Sequence, residues 1–600
     1  MGLFQQACIT YDANKNLIGK EIEGKEPLAP ISHSIQKANI EITISFDGDF
    51  KGAIIVDEEN SKTIIPVTEE SASRSAKTAY LKPHPLCDKL KYLLGEENKN
   101  YYLEQLEKWI NSEFCHEMLF SVYKYVKKKT LISDLLKSGV LKLDKKGNLP
   151  EKSYDLLVRW NIVGIGLKYN TSCWKEQSLM SSYIKYYNSI RNNKEGVCML
   201  SGQIASLTNS YPKGIVDNCF NAKIISANDN DNFTYRGRFL MEEEASSIGY
   251  ESIQKANNAL HWLVKNQGSV IGKRAFVCWN PEGIKIPVVT GPIIVKREIV
   301  YHKPSEYKRD LELTIKGYKN SLPTNDSNVI VVAFDAATTG RLATTYYKEI
   351  AGSDFLTRLE KWDKSCCWYN GKYGIQSPSM SEIIECCFGN QIEEEGKIFF
   401  KTDEKLYGQQ IQRLIRCRVD CCKFPGDIVK SLIQKASSLF LYDDKKWFLR
   451  QKLLFTVCAV IKKYYFDYCK EELSMLLEPT KPNRSYQFGR LLAVLEKAER
   501  DTFEKDEDRE PNAMRLQSAF CKRPLHMFRI IQEQVKKGYY PKLPTGSRIY
   551  YEKLISEIMS VISSEEEDLL NRPLEDLYLI GYYLQRKELY TSNKDLQEEK

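Results

Sequence analysis

The chain has 600 residues, 42% apolar and 28% charged, with 32 Gly and 21 Pro, which excludes a fibrous, collagenous or broadly disordered protein. No apolar run approaches the ~18 residues of a membrane helix, and the length predicts roughly three or four structural units. A net charge of +8 permits a nucleic-acid partner without requiring one, because phosphate affinity depends on local clusters of cations.

The first six residues, Met1 to Gln6, lack a basic segment followed by an apolar one, and Gln6 stands where a myristoylation pattern wants Ser or Thr. With 17 cysteines scattered along the chain, including the adjacent pairs Cys366-Cys367, Cys386-Cys387 and Cys421-Cys422, a disulfide framework is a poor fit. Reduced thiols in a cytoplasmic protein are expected. The six histidines (33, 84, 116, 261, 302 and 526) have no ligand spacing to cysteine and no CxxC occurs, so neither a metal nor another cofactor is expected.

The elements open with antiparallel β. Ile40, Ile42, Ile44 and Phe46 alternate with polar residues, Asp47-Gly48 supplies a turn, and Gly52 to Val56 returns. Ser61 to Val67 reads as a third strand, at an edge because of Pro66. A polar loop from Glu69 to Thr78 follows, carrying Arg74, Ser75 and Lys77. Residues 100–138 have helical periodicity, and Lys127-Lys128-Lys129 reads as a solvated face.

From 150 to 350 short strands and helices mix. Residues 272–280 and 328–334 read as buried strands, with a polar turn from Asp335 to Gly340 before Arg341 to Tyr347. Helices dominate from 350 to the break Pro479-Thr480-Lys481-Pro482. The last stretch reads as an antiparallel bundle with four apolar stripes: Phe488, Leu491, Leu492, Leu495; Phe528, Ile531, Val535; Tyr550, Leu554, Ile558, Val561; and Leu577, Ile580, Gly581, Leu584.

The expected class is therefore α+β: an N-terminal mixed part with small antiparallel sheets and a mostly helical second half ending in an antiparallel bundle. The expected division is an α+β region at 1–350, as one domain or as two divided near 150, a helical region at 351–475 and the bundle at 476–600.

No phosphate-cradling GxxxxGK[ST] loop and no GxSxG nucleophile elbow occurs. The tight acidic groups, Asp506-Glu507-Asp508 and Glu565 to Asp568, have the composition of exposed loops and helix starts. Asp229 and Asp231 leave one enzymatic alternative, a metal-dependent nuclease.

Two basic elements stand out. Asn228 to Phe239 is a polar loop running into Tyr235, Arg236, Gly237 and Arg238. Arginine forks onto phosphate, rings offer stacking surface, and glycine admits a close backbone. On a helix, Gln409, Gln412, Arg413 and Arg416 share a face opposite Ile411, Leu414 and Ile415. The first reads as well as an ordinary β-hairpin, and the second reads better as a plain solvated face.

A series of segments resembles the large-subunit family of subtype I-C CRISPR–Cas surveillance (Cascade) complexes. They are Cys198 to Gly202, Tyr211 to Ile215, Ala222 to Asp229, Phe233 to Phe239, Gln254 to Leu263, Phe334 to Arg341, Gly489 to Glu496 and Gly581 to Arg586. Tyr211 and Asn257 stand where the family pattern has histidine, and Cys198 has no CxxC partner.

The resemblance implies a ribonucleoprotein subunit of antiviral defence without an active site. Its implied partners are a guide RNA with backbone and handle-binding subunits, target double-stranded DNA, a separate helicase-nuclease and a small subunit from the same gene, but no membrane. It implies probing of a protospacer-adjacent motif and duplex opening, while guide pairing reads sequence in an R-loop. Arg74, Ser75, Lys77, Ser201, Gly202 and Gln203 are the residues expected to probe the duplex. Asn228, Tyr235, Arg236 and Arg238, with Arg413 and Arg416 behind them, are expected to bind a DNA strand. Met475, just before the proline break, is the expected internal start of the small subunit. The remaining alternative is a purely structural assembly subunit.

Overall fold

The computed structural model describes residues 1–600 except 75–80, 97–98, 165, 167, 192–193, 227–236, 295–298, 323–326, 443–446, 505–506, 508, 563–566 and 592–600. Half of the chain is helical and 16% is strand, the mixed α+β class. The chain folds into two compact units, Met1–Ile284 with Ile330–Lys348, and Lys285–Val329 with Glu349–Lys600.

In the first unit, the strand Ile40–Ser45 lies at the centre of three. Ile40, Ile42 and Ile44 are buried while Glu41, Thr43 and Ser45 are partly exposed, as a half-covered strand requires. It pairs antiparallel with Phe50–Ile55, the expected hairpin, and parallel with Val158–Val163. The parallel partner departs from the all-antiparallel expectation; the helices Tyr101–Ile110, Glu117–Lys127 and Leu131–Lys137 lie in its crossover. Lys62–Pro66 is a strand, but its partner is His33–Lys37 in a separate two-stranded sheet.

A second sheet of four strands runs Arg341–Ala351, Asn328–Thr338, Arg274–Trp279, Ser269–Ile271. The polar stretch from Asp335 continues the strand to Thr338, so the turn narrows to 339–340. Ladder hydrogen bonding carries Asp335 opposite Arg274, where the two side chains pair at 2.8 Å. Phe334, Val332, Val277 and Trp279 bury against Leu260 and Leu263 of the helix Tyr250–Gln267 and Ala7 of the helix Leu3–Ala13. Trp279 Nε1 donates to Thr10 Oγ1 at 2.9 Å, satisfying the one polar atom of a buried indole.

The second unit is largely helical, with the short hairpins Trp368–Tyr369/Ile375–Gln376 and Asn390–Glu394/Lys397–Lys401 among the helices. Residues 476–600 fall in the same unit as 349–475. The helices Arg484–Arg500 and Leu577–Tyr590 are enclosed almost all round and cross tightly. Gly489 faces the Tyr578 carbonyl and Gly581 the Tyr486 carbonyl, so each backbone occupies the space a methyl would need. The stripes of Phe488, Phe528 and Leu577 are buried as expected. In the helix Thr545–Ile562 the buried face is instead Tyr551, Ile555, Ile558 and Ile562, and Tyr550 is exposed. Among the described residues no helix is long and apolar enough to cross a membrane.

Candidate nucleic-acid interface

A polar cleft of about 320 Å³ opens in the first unit. One wall begins at Thr68, whose side chain accepts from Ser71 N–H at 3.0 Å, while Ser71 Oγ accepts from Thr68 N–H at 2.9 Å. This capping box starts the helix Glu69–Ser73, and Arg74 follows immediately. The opposite wall is the helix Tyr250–Gln267, which contributes Gln254 and Asn257. Lys213 and Lys223 line the cleft as well.

Each lysine is placed through its backbone. Asn257 Nδ2 donates to the Lys213 carbonyl at 3.3 Å. Gly214, at φ +89°, packs against the Phe220 ring where a side chain would collide. Lys223 N–H donates to Gly340 O at 3.1 Å, and Lys223 O accepts from Leu342 N–H at 2.9 Å, tying it to the four-stranded sheet.

Burial pulls the Lys213 ammonium below its ordinary pKa, and Arg74 adds to this. Burial does the same at Lys223, with Lys213 adding to it. Lys213 Nζ donates to Asn221 Oδ1 at 2.9 Å, and neither lysine forms an ion pair among the described residues. Glu69 lines the cleft too, but its carboxylate is taken by Arg191 at 3.2 Å and by Thr208. Two half-buried cations without a carboxylate favour an anion, since an anion would relieve both their desolvation and their mutual repulsion.

The cleft floor contains neutral histidine. Gln36 Nε2 donates to His84 Nε2 at 3.3 Å, so Nδ1 carries the proton and donates to Ser71 Oγ at 2.8 Å. Burial lowers His84 to a pKa of about 4. His33, also lining the cleft, is lowered to about 4 by burial.

The residues expected from sequence are distributed as follows. Arg74 lines this cleft, but its guanidinium is held by buried Asp88 and by the Lys82 carbonyl at 3.0 Å, and lies 3.8 Å over the Tyr92 ring. Ser201, Gly202 and Gln203 form the exposed tip of the hairpin Glu195–Val197/Ile204–Ser206. Gly202 at φ +70° lets its N–H reach Cys198 O at 2.8 Å. Arg238 is exposed, with its guanidinium 5.2 Å over Phe239. Ser75, Lys77, Asn228, Tyr235 and Arg236 lie outside the described residues, as do Asp229 and Asp231.

In the second unit, Ile411, Leu414 and Ile415 are buried on the helix Glu404–Val419 with Arg416 exposed opposite, as the periodicity predicts. Arg413 forks onto Asp427 at 2.7 and 2.8 Å. Met475 is buried.

Lys213, Lys223, Gln254 and Asn257 were not among the residues expected to bind. Their signal was present, however: each belongs to a segment that carries the family resemblance, and three such segments converge on one cleft beside Arg74.

A family model described as CRISPR-associated protein (Cas_Csd1) matches residues 10–590. The chain belongs to this family, the large-subunit family of type I-C CRISPR surveillance complexes. It is thus a CRISPR-associated Cascade component. No curated protein matches the chain.

Proposed function

We propose that this chain is the non-catalytic large subunit that probes target duplex for an adjacent motif, helps open it, and holds the displaced strand. A separate helicase-nuclease is recruited to cut. The observation that carries the reading is the cleft with two lysines that meet no carboxylate among the described residues, lined by three of the segments that carry the resemblance. Phosphate contacts position a protein on a duplex, and short polar groups nearby read the groove. Gln254 and Asn257 on the cleft wall, and Ser201 and Gln203 on the hairpin tip, are groups of that kind.

The guide RNA, the backbone and handle-binding subunits and a small subunit are the partners that complete this function in the cytoplasm. Translation from Met475 supplies the small subunit as residues 475–600.

The test is target-duplex binding by the assembled guide-RNA complex carrying Lys213→Glu with Lys223→Glu. Assembly should be unchanged, and affinity should fall at least about tenfold. The dependence of log affinity on log salt should become shallower by about one for each phosphate no longer neutralised. An unchanged affinity and slope would remove the cleft from the DNA path.

A further inference from the structure

The second unit contains a cavity of about 530 Å³ whose chemistry the preceding reading does not use. Its lining includes Tyr369, Tyr583, Tyr590, His302, Lys372 and Lys587, and among the described residues none of the lining is acidic. A pocket whose described lining concentrates rings and cations is suited to a ligand both planar and anionic.

The parts are held firmly. Tyr583 Oη donates to Tyr369 O at 2.8 Å and accepts from Gln451 Nε2 at 2.8 Å, which fixes one wall. Arg586, also in the lining, is anchored by buried Glu496, which it reaches at 3.4 Å, and its guanidinium lies 4.3 Å from the Tyr590 ring centre. Lys587 Nζ lies 4.2 Å from the Tyr369 ring centre.

The lip is the tight turn between strands Trp368–Tyr369 and Ile375–Gln376. Gly374, at φ +70°, packs onto the Tyr301 backbone so closely that a side chain there would meet it. The turn thereby presents Lys372, which is exposed and forms no ion pair among the described residues. His302 is also exposed, next to Tyr301 in the chain.

We propose that this pocket receives one nucleotide of a single-stranded nucleic acid, its base on the exposed ring of Tyr590 and its phosphate against Lys372. The volume suits a single nucleotide, and the combination of stacking rings with phosphate-binding cations is the general means of holding a strand regardless of sequence. The inference goes beyond the proposed function, because it assigns a separate site for a single strand, within the second unit.

The experiment measures binding of the full chain to labelled oligothymidylate and oligouridylate of about ten nucleotides, with ATP titrated separately as a free nucleotide. Lys372→Glu should weaken strand binding roughly fivefold or more and reduce its salt dependence. Tyr590→Ala should weaken it comparably, whereas Tyr590→Phe, which keeps the ring, should bind as the parent does. Photo-cross-linking through bromodeoxyuridine or thiouridine should land on Tyr590, and the stronger of the two oligonucleotides identifies the strand as DNA or RNA.

Equal strand affinity in Lys372→Glu and Tyr590→Ala, with cross-links elsewhere, would overturn the proposal. So would binding of ATP alone with no strand bound. Lys213→Glu with Lys223→Glu, assayed alongside, should retain strand binding at this pocket, which separates failure here from failure of the duplex reading.

Discussion

Arg74 and Asp88 meet fork to fork, with Nη1 2.7 Å from Oδ2 and Nη2 2.7 Å from Oδ1. The carboxylate is completely buried and the guanidinium is 12% exposed. Asp88 also accepts from the backbone N–H of His84 at 2.6 Å and of Lys89 at 2.7 Å. This pair organises the chain leading into the lysine cleft, so Arg74 has a structural task whatever else it touches.

Arg74→Ala should therefore destabilise the first unit by about 3 kcal/mol or more, because it leaves a buried carboxylate without its counter-charge. Arg74→Lys should recover part of this, since an ammonium restores charge but not the two-pronged geometry. Urea unfolding followed by tryptophan fluorescence measures both. Any loss of DNA binding in Arg74→Ala has to be interpreted beside that stability loss.

The buried histidines give the first unit a pH dependence of known sign. Burial lowers His33 and His84 from 6.5 to about 4, so between these values the unfolded chain binds protons that the folded one refuses. Stability should fall as pH drops through that window. At about 1.4 kcal/mol per pH unit, each shift corresponds to roughly 3 kcal/mol at most.

Glu26 extends the trend to lower pH. Burial opposes its charge, but hydrogen bonds from His261 and Lys62 win and bring it from 4.5 down to about 2. Its contribution is complete above 4.5 and lost as pH falls toward 2. Melting temperature measured from pH 7.5 to pH 4 should decline, and His84→Gln should flatten part of the decline. A flat profile in the parent protein would contradict the burial argument.

The crossing of Arg484–Arg500 with Leu577–Tyr590 should be intolerant of any side chain. Gly489→Ala or Gly581→Ala places a methyl inside the opposing backbone, forcing apart two helices that are buried on nearly every face. Several kcal/mol of destabilisation is expected, in the upper range of overpacking costs. Soluble yield and thermal denaturation provide the check, with Gly538→Ala, which meets nothing within 4 Å, as the control.

Arg236→Ala together with Arg238→Ala should weaken target-DNA binding by the assembled complex and reduce its salt sensitivity, with assembly unchanged. Filter binding at two salt concentrations is sufficient. Arg238 is exposed, so its removal disturbs no buried contact.

Local periodicity made much of the fold legible. Ile40, Ile42 and Ile44 alternate in sequence and are buried in the structure because a strand has only two faces. Periodicity was ambiguous where two aromatics adjoin. Tyr550 and Tyr551 each begin an acceptable three-four stripe, both including Ile558, and only the packing selects Tyr551.

The parallel pairing of Ile40–Ser45 with Val158–Val163 could not be read locally, since the partners are more than a hundred residues apart. The cleft posed the same difficulty. Lys213 and Lys223 sat in recognisable segments, but nothing near them in the chain indicates that they approach Arg74, or that Asp88 has already engaged its guanidinium.

The assignment of Ile330–Lys348 to the first unit, with its flanks in the second, sets an order on synthesis. A ribosome that has released residues 1–284 has delivered a sheet whose strand Arg274–Trp279 still lacks the neighbour that covers one edge. Phe334, Val332 and Ile330 arrive later and close a core whose other members have been waiting since Ala7. The nascent first unit must keep that edge unpaired with other chains until residue 338 emerges. A fragment ending at 284 would carry the same open edge permanently, so the shortest self-sufficient N-terminal piece runs past 348.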